Sequence, residues 1–112
     1  MHIDTTRQHD TLFVKPFESR LDSHVAADFR SALEGQMEDG VRLVLVLSAV
    51  EFVDSSCRGT IVVAHKQLHG KGGLVVCSAN DDVMRLFKLA RLDRILQIAL
   101  DRSEVLATPS RR

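Results

Sequence analysis

Val41-Arg-Leu-Val-Leu-Val-Leu47 is a near-continuous run of β-branched and leucine residues, broken only by Arg42. A strand with one wet face alternates apolar and polar side chains, so a run without alternation belongs to a strand covered on both faces. Residues 41–47 therefore read as the spine of a buried sheet. Downstream, Leu74 to Cys77 is a second run of the same kind and Leu96 to Ala99 a shorter third. Upstream, Thr11-Leu12-Phe13-Val14-Lys15 is rich in strand formers, and Pro16, which has no backbone donor, is expected to end its pairing.

The stretches between these runs have helical spacing. Asp22 precedes an apolar set at Val25, Phe29, Ala32, Leu33 and Gln36/Met37 and is expected to cap that helix, with Gly40 as its stop. Ser55 or Ser56 is expected to cap a second helix, whose inner face repeats at Ile61, Ala64 and Leu68 and which ends at Gly70-Lys71-Gly72-Gly73. Asn80 caps a third helix with Val83, Leu86, Phe87 and Ala90 on one face, and Asp81 and Asp82 in its first turn suit the helix dipole. Asp101 opens a terminal helix, and residues 108–112 are expected to fray. Strands alternating with helices in this order predict an α/β fold with a mixed sheet of four or five strands covered by helices. The core spans residues 10–107, and residues 1–9 form either an edge strand or a tail.

At 112 residues the expectation is a single domain spanning 1–112, with no internal repeat or linker. Area scaling gives a folded surface of roughly 6,200 Å² against about 18,000 Å² unfolded, enough burial for one core. Fifteen basic and fifteen acidic side chains cancel, which argues against a nucleic-acid binder that holds phosphates through a broad basic field. The charge is unevenly placed, −5 over residues 1–56 and +5 over 57–112, which suits either a bipolar docking surface or a mutually screened one. Cys57 and Cys77 form no CxxC motif and fit small buried thiols in a reducing compartment, so the cytoplasm is the expected location. The longest apolar stretch, Leu43 to Val50, is interrupted by Ser48 and is far short of the ~20 residues of a membrane helix. No membrane insertion is expected, and MHIDTTRQHD at the start has no apolar signal core.

One segment combines these structural signals with chemistry. In Leu43-Val-Leu-Val-Leu-Ser-Ala-Val-Glu-Phe-Val-Asp-Ser-Ser-Cys-Arg-Gly59, two hydroxyls follow a buried strand where a helix begins. Free N–H groups and the positive dipole end at a helix start stabilise a negative group, so a phosphate on Ser55 would meet favourable local electrostatics despite Asp54. From the residues alone, a plain Ser/Asp cap accounts for the same pattern.

LDSHVAADF, the Phe-x-Asp-Ser-Ser element inside LVLVLSAVEFVDSSCRGTIVVAHKQL, and KGGLVVCSANDDVMRLFKLARLDRILQI together resemble the STAS-domain family over about residues 10–105. The resemblance is specifically to the anti-sigma factor antagonists of bacterial partner-switching systems. It implies a non-enzymatic STAS fold without a cofactor or metal, and a switch substrate. In that family the first Ser of Asp-Ser-Ser, which corresponds to Ser55 here, is phosphorylated by an anti-sigma factor Ser/Thr kinase, and a Ser/Thr phosphatase of the metal-dependent class reverses the step. The unmodified form docks on the kinase and the phosphorylated form is released. The implied partner-binding face comprises Asp22, Asp54, Ser55, Ser56, Cys57, Arg58 and Gly59.

The chain departs from the family at particular places. Where the family reads Asp-Ser-Ser-Gly-Leu-Gly, this sequence has Asp54-Ser55-Ser56-Cys57-Arg58-Gly59. Val46 stands where Asp or Asn is frequent, and Ser19 where Gly is usual. Arg58 adds a donor that could pair with a phosphoserine or face a different partner. These departures leave room for an alternative, an unmodified accessory or scaffold STAS subunit of a signalling or transport complex in which Ser55 and Ser56 are caps.

Other chemistries are weaker. Cys57 at a helix start could be a low-pKa redox thiol or a small packed residue. His65 and His69 have the i, i+4 spacing of two metal ligands, but HKQLH lacks the Glu of His-Glu-x-x-His and a third ligand. Gly70-Lys-Gly-Gly runs from helix to strand, the reverse of a phosphate-binding loop. Asp-Ser-Ser-Cys-Arg lacks the upstream Gly of a hydrolase nucleophile elbow.

Overall fold

The computed structural model describes residues 1–108. Its spine is β4 (Arg42–Val46), buried along its whole length. Around it β1 (Ile3–Gln8), β2 (Thr11–Pro16), β6 (Leu74–Cys77) and β7 (Gln97–Ala99) complete a five-stranded sheet in the order β1-β2-β4-β6-β7. The sheet is mixed: β1 runs antiparallel to β2, and the other neighbours are parallel. Parallel neighbours need covered crossovers, and helices α1 (Ala26–Gln36), α2 (Ser55–Leu68) and α3 (Asp81–Leu89) supply them. The exposed area of 6294 Å² is close to the scaling value.

The two faces of the sheet carry different cores. Leu12, Val14, Leu43, Leu45 and Val76 pack with Phe29 and Leu33 of α1, Ile61, Ala64 and Leu68 of α2, and Val83 and Phe87 of α3. On the other face Phe13, Val44, Val46, Val75 and Cys77 pack beneath Val105 of the short helix α4 (Arg102–Ala107). The Arg102 guanidinium lies 5.1 Å from the centroid of the Phe13 ring, and Arg42 Nη1 donates to the Thr108 carbonyl at 2.8 Å. Val46 is thus a core residue on the α4 side, so its departure from the family pattern is a matter of packing.

Pro16 ends the pairing as expected: β2 stops there, opposite Ile3 in the last pair of the ladder, with one further hydrogen bond from the Phe17 N–H to the His2 carbonyl at 3.0 Å. Pro16 can sit there because the last pair of a ladder needs no proline donor. Two other expectations need correction. Asp22 does not cap α1, which starts at Ala26 after Val25 without a side-chain cap. The reason is a two-stranded parallel ribbon, β3 (Arg20–Leu21) with β5 (Phe52–Val53), which holds the chain extended up to Leu21. Ser55 and Ser56 are not caps either, as the site geometry shows below. Residues 3–8 form the edge strand, and of the segment expected to fray, residues 109–112 lie outside the described residues.

Candidate functional site

The site is the junction where β5 gives way to α2. Val53 is fully buried, so the chain leaves the core at Asp54, whose extended φ and ψ of −83° and 179° make it the N-cap. Its Oδ1 accepts from the Cys57 N–H at 3.1 Å, while its own N–H donates to the Leu21 carbonyl at 2.9 Å. Ser55 and Ser56 are therefore the first two helical residues, both exposed. All three residues of Asp-Ser-Ser are good caps by type; Cys57, which must face the core at the third helical position, sets the register that selects Asp54.

The short β3 brings a distant segment to this junction. Cys57 Sγ donates to the Asp22 carbonyl at 3.6 Å, tying the first turn of α2 to the end of β3. Asp22 Oδ1 accepts from the His24 N–H at 3.0 Å, a local turn, and its Oδ2 lies 3.6 Å from Arg20 Nε. The Arg20 guanidinium in turn sits 4.3 Å from the centroid of the Phe52 ring. Asp22, Asp54, Ser55 and Ser56 thus share one end of the molecule. Arg20 and Phe52 also belong to this edge, and sequence reasoning missed them: strands of two residues leave no periodicity to read.

The residues after Ser56 divide between the inside and the outside. Cys57, expected on a partner-binding face, is instead fully buried and presents no surface to a partner. Burial, reinforced by the negative charges of Asp54 and Asp22, pushes its thiol up to about 11. The redox reading needs a thiolate at neutral pH, and this environment opposes one. Arg58 is half-buried, with Nη1 donating to the Val53 carbonyl at 3.2 Å. Gly59 is exposed, and a Cβ there would meet nothing within 4 Å, so it opens the helix surface to close approach from outside.

Electrostatically, the first turn of α2 contains no acidic residue. The N–H groups of its first residues have no partner within the helix, which leaves the positive dipole end uncompensated apart from the Asp54 cap. Among the described residues Ser55 Oγ has no hydrogen-bond partner, hence no histidine to activate it as a nucleophile. An exposed, unactivated hydroxyl at a helix start is suited to accept a group delivered by another protein. His65 and His69 stand elsewhere, about 15 Å along α2 at 1.5 Å per residue. Their ring centroids are 6.2 Å apart, beside a groove of about 580 Å³ lined by Leu74, Ile95 and Leu96. No third ligand joins them: among the described residues no group of three His, Cys, Asp or Glu side chains is placed to hold a metal ion. In Gly70-Lys-Gly-Gly, Gly72 has φ +116° and its Cα faces Val41, whose carbonyl oxygen would lie 2.4 Å from a Cβ; this glycine lets two chain segments cross.

The family model described as the STAS domain matches residues 2–105. The chain belongs to the STAS family. An anti-sigma F factor antagonist of Paenibacillus polymyxa is 30% identical to this STAS chain over 93 residues, covering 80% of each. An anti-sigma-B factor antagonist of Listeria monocytogenes is 30% identical over 95 residues, covering 82% of this chain and 83% of its own. The crystal structure of an anti-sigma factor antagonist from Mycobacterium paratuberculosis superposes with a TM-score of 0.85 over 95% of this STAS domain and 91% of that chain, at 20% identity, a likeness of fold. In the described part of the STAS domain no helix is long and apolar enough to cross a membrane.

Proposed function

We propose that this STAS domain is an anti-sigma factor antagonist of a partner-switching system. In this reading it docks on an anti-sigma factor Ser/Thr kinase through the face formed by Asp22 and the start of α2, and Ser55 is the phosphoacceptor. It works in the cytoplasm, where nucleoside triphosphate is available. The observation that carries the reading is the exposed Ser55 hydroxyl at the first helical position of α2, where no carboxylate occupies the first turn. The names of the Paenibacillus and Listeria relatives support it.

The chemistry is a phosphoryl transfer. A bond forms between Ser55 Oγ and the γ-phosphorus of the triphosphate, the bond from that phosphorus to the bridging oxygen breaks, the diphosphate leaves, and the hydroxyl proton passes to a base on the kinase. Phosphorylation adds about −1.5 to −2 charges and three acceptor oxygens. Inside this molecule the helix start tolerates them; in a close-packed interface they bring bulk and repulsion, so docking is lost while folding survives. A Ser/Thr phosphatase of the metal-dependent class restores the hydroxyl by hydrolysis.

The test is incubation with the cognate kinase and ATP, followed by phosphopeptide mass spectrometry. Label on Ser55 is expected, Ser55→Ala keeps binding the kinase, and Ser55→Asp binds it at least tenfold more weakly. A kinase complex that forms and leaves Ser55 unlabelled rejects the switch. Recovery of a transport or receptor complex with no kinase and no phosphorylated form selects the accessory-subunit alternative.

A further inference from the structure

Arg58 occupies the place of the apolar residue in the family pattern Asp-Ser-Ser-Gly-Leu-Gly, and its side chain is already directed at the mouth of α2. Helical side chains lean toward the helix N-terminus, and residues i and i+3 lie on one face, so Arg58 shares the face of Ser55 and its side chain leans toward the helix start. The contact it makes fixes this direction: Nη1 donates to the carbonyl of Val53, a residue before the helix. A guanidinium has five N–H donors. The single hydrogen bond to Val53 engages one of them, and among the described residues Arg58 forms no ion pair, so its charge is unclaimed.

We infer that Arg58 is an internal clamp for phosphorylated Ser55, swinging from the Val53 carbonyl to the phosphate oxygens and holding them within its own helix. The inference deepens the reading of Ser55 as phosphoacceptor and rests on it for its biological use. No covalent step is involved beyond the transfer already described. Planar guanidinium donors match phosphate oxygens in pairs, and a lysine or a neutral residue cannot reproduce that fork. The clamp partly offsets the repulsion between the new phosphate and the Asp54 carboxylate. It also gives the phosphorylated form a conformation of its own in addition to a blocked interface.

The other charges around the junction are these. Asp22 and Arg20 on the β3 side are paired with each other, Asp54 is engaged by the Cys57 N–H, Glu51 precedes β5, and Asp81 and Asp82 open α3, which packs on β5. Arg58 is thus the one cation of α2's first two turns.

The experiment places phosphoserine at position 55 during translation, so it needs no kinase. Phosphorus NMR then follows the second ionisation of the phosphate in the full chain, in the Arg58→Gln variant and in Arg58→Lys. The expected result is an ionisation roughly half a unit lower in the wild type than in Arg58→Gln, with Arg58→Lys between them. In addition the Arg58 Nε–H resonance should move on phosphorylation. Equal ionisation in all three proteins with an unmoved Nε–H resonance overturns the clamp. Should the phosphate of Arg58→Gln be perturbed by misfolding, the amide spectrum of its unphosphorylated form reveals it, and the Nε–H shift in the wild type alone decides. A clamp seen here alongside a Ser55 that no kinase labels would leave the clamp standing and the switch rejected.

Discussion

Two helix starts in this protein are built alike and charged differently. At α2 the cap is Asp54, accepting from the Cys57 N–H at 3.1 Å; at α3 it is Asn80, accepting from the Val83 N–H at 2.8 Å. Cys57 and Val83 are each the third helical residue and each is fully buried, so both helices are hung from the core by the same peg. Between cap and peg, α3 carries Asp81 and Asp82, whereas α2 carries Ser55 and Ser56. The first sets two carboxylates against its dipole beyond a neutral cap; the second has the Asp54 cap as its one carboxylate, followed by two uncharged hydroxyls. The comparison separates what a helix needs in order to form, which both starts have, from what makes one of them adjustable.

The largest way to break the symmetry is through the peg. The Cys57 thiol ionises at about 9 when free and about 11 when folded. Between those values the folded state binds more protons than the unfolded one, so stability is complete below pH 9 and falls as the pH rises toward 11, by about 2–3 kcal/mol in all. Urea unfolding at pH 7, 9 and 11 should show this fall, and Cys57→Val, which copies Val83, should flatten most of it. Burial also raises Cys77, so a smaller decline persists in that variant.

Next in size are the caps. Asp54→Ala and Asn80→Ala each remove the acceptor of a helix-start N–H and should each cost about 1 kcal/mol in midpoint-derived stability. A cost confined to Asn80→Ala would mean that α2 is held by β5 and Cys57 alone. The smallest effects come from exchanging the charges. Ser55→Asp should stabilise by about 0.3–1 kcal/mol and Asp81→Ser should destabilise by a similar amount, both fading in 1 M salt, as read by thermal melts.

The same comparison shows what the amino-acid sequence discloses. Strands β2, β4 and β6 are legible as apolar runs because at least four residues of each are buried, and Asn80 and Asp101 are legible as caps because each immediately precedes the apolar spacing of its helix. Asp54 was open as a cap alongside Ser55 and Ser56, and the choice between them depends on burial of Cys57, a tertiary fact. Asp22 looked like a cap because nothing local reveals that Leu21 pairs with Val53 across a long stretch of chain. Strand β1 was open to two readings because its side chains from Asp4 to Gln8 are exposed, which gives it no apolar pattern. Of the candidate site, the place of Ser55 at a helix start was legible; Arg20 and Phe52 reach the same edge through a ribbon too short to announce itself, while Cys57 turned inward.

That ribbon has a practical consequence. Because β3 and β5 bind Asp22 to the neighbourhood of Ser55 through the Leu21–Asp54 hydrogen bond and the Cys57–Asp22 contact, the surface there is a discontinuous epitope. A synthetic peptide copying residues 50–60 would lack half of it and the scaffold that presents the rest, and so would make a poor competitor for whatever recognises the folded protein.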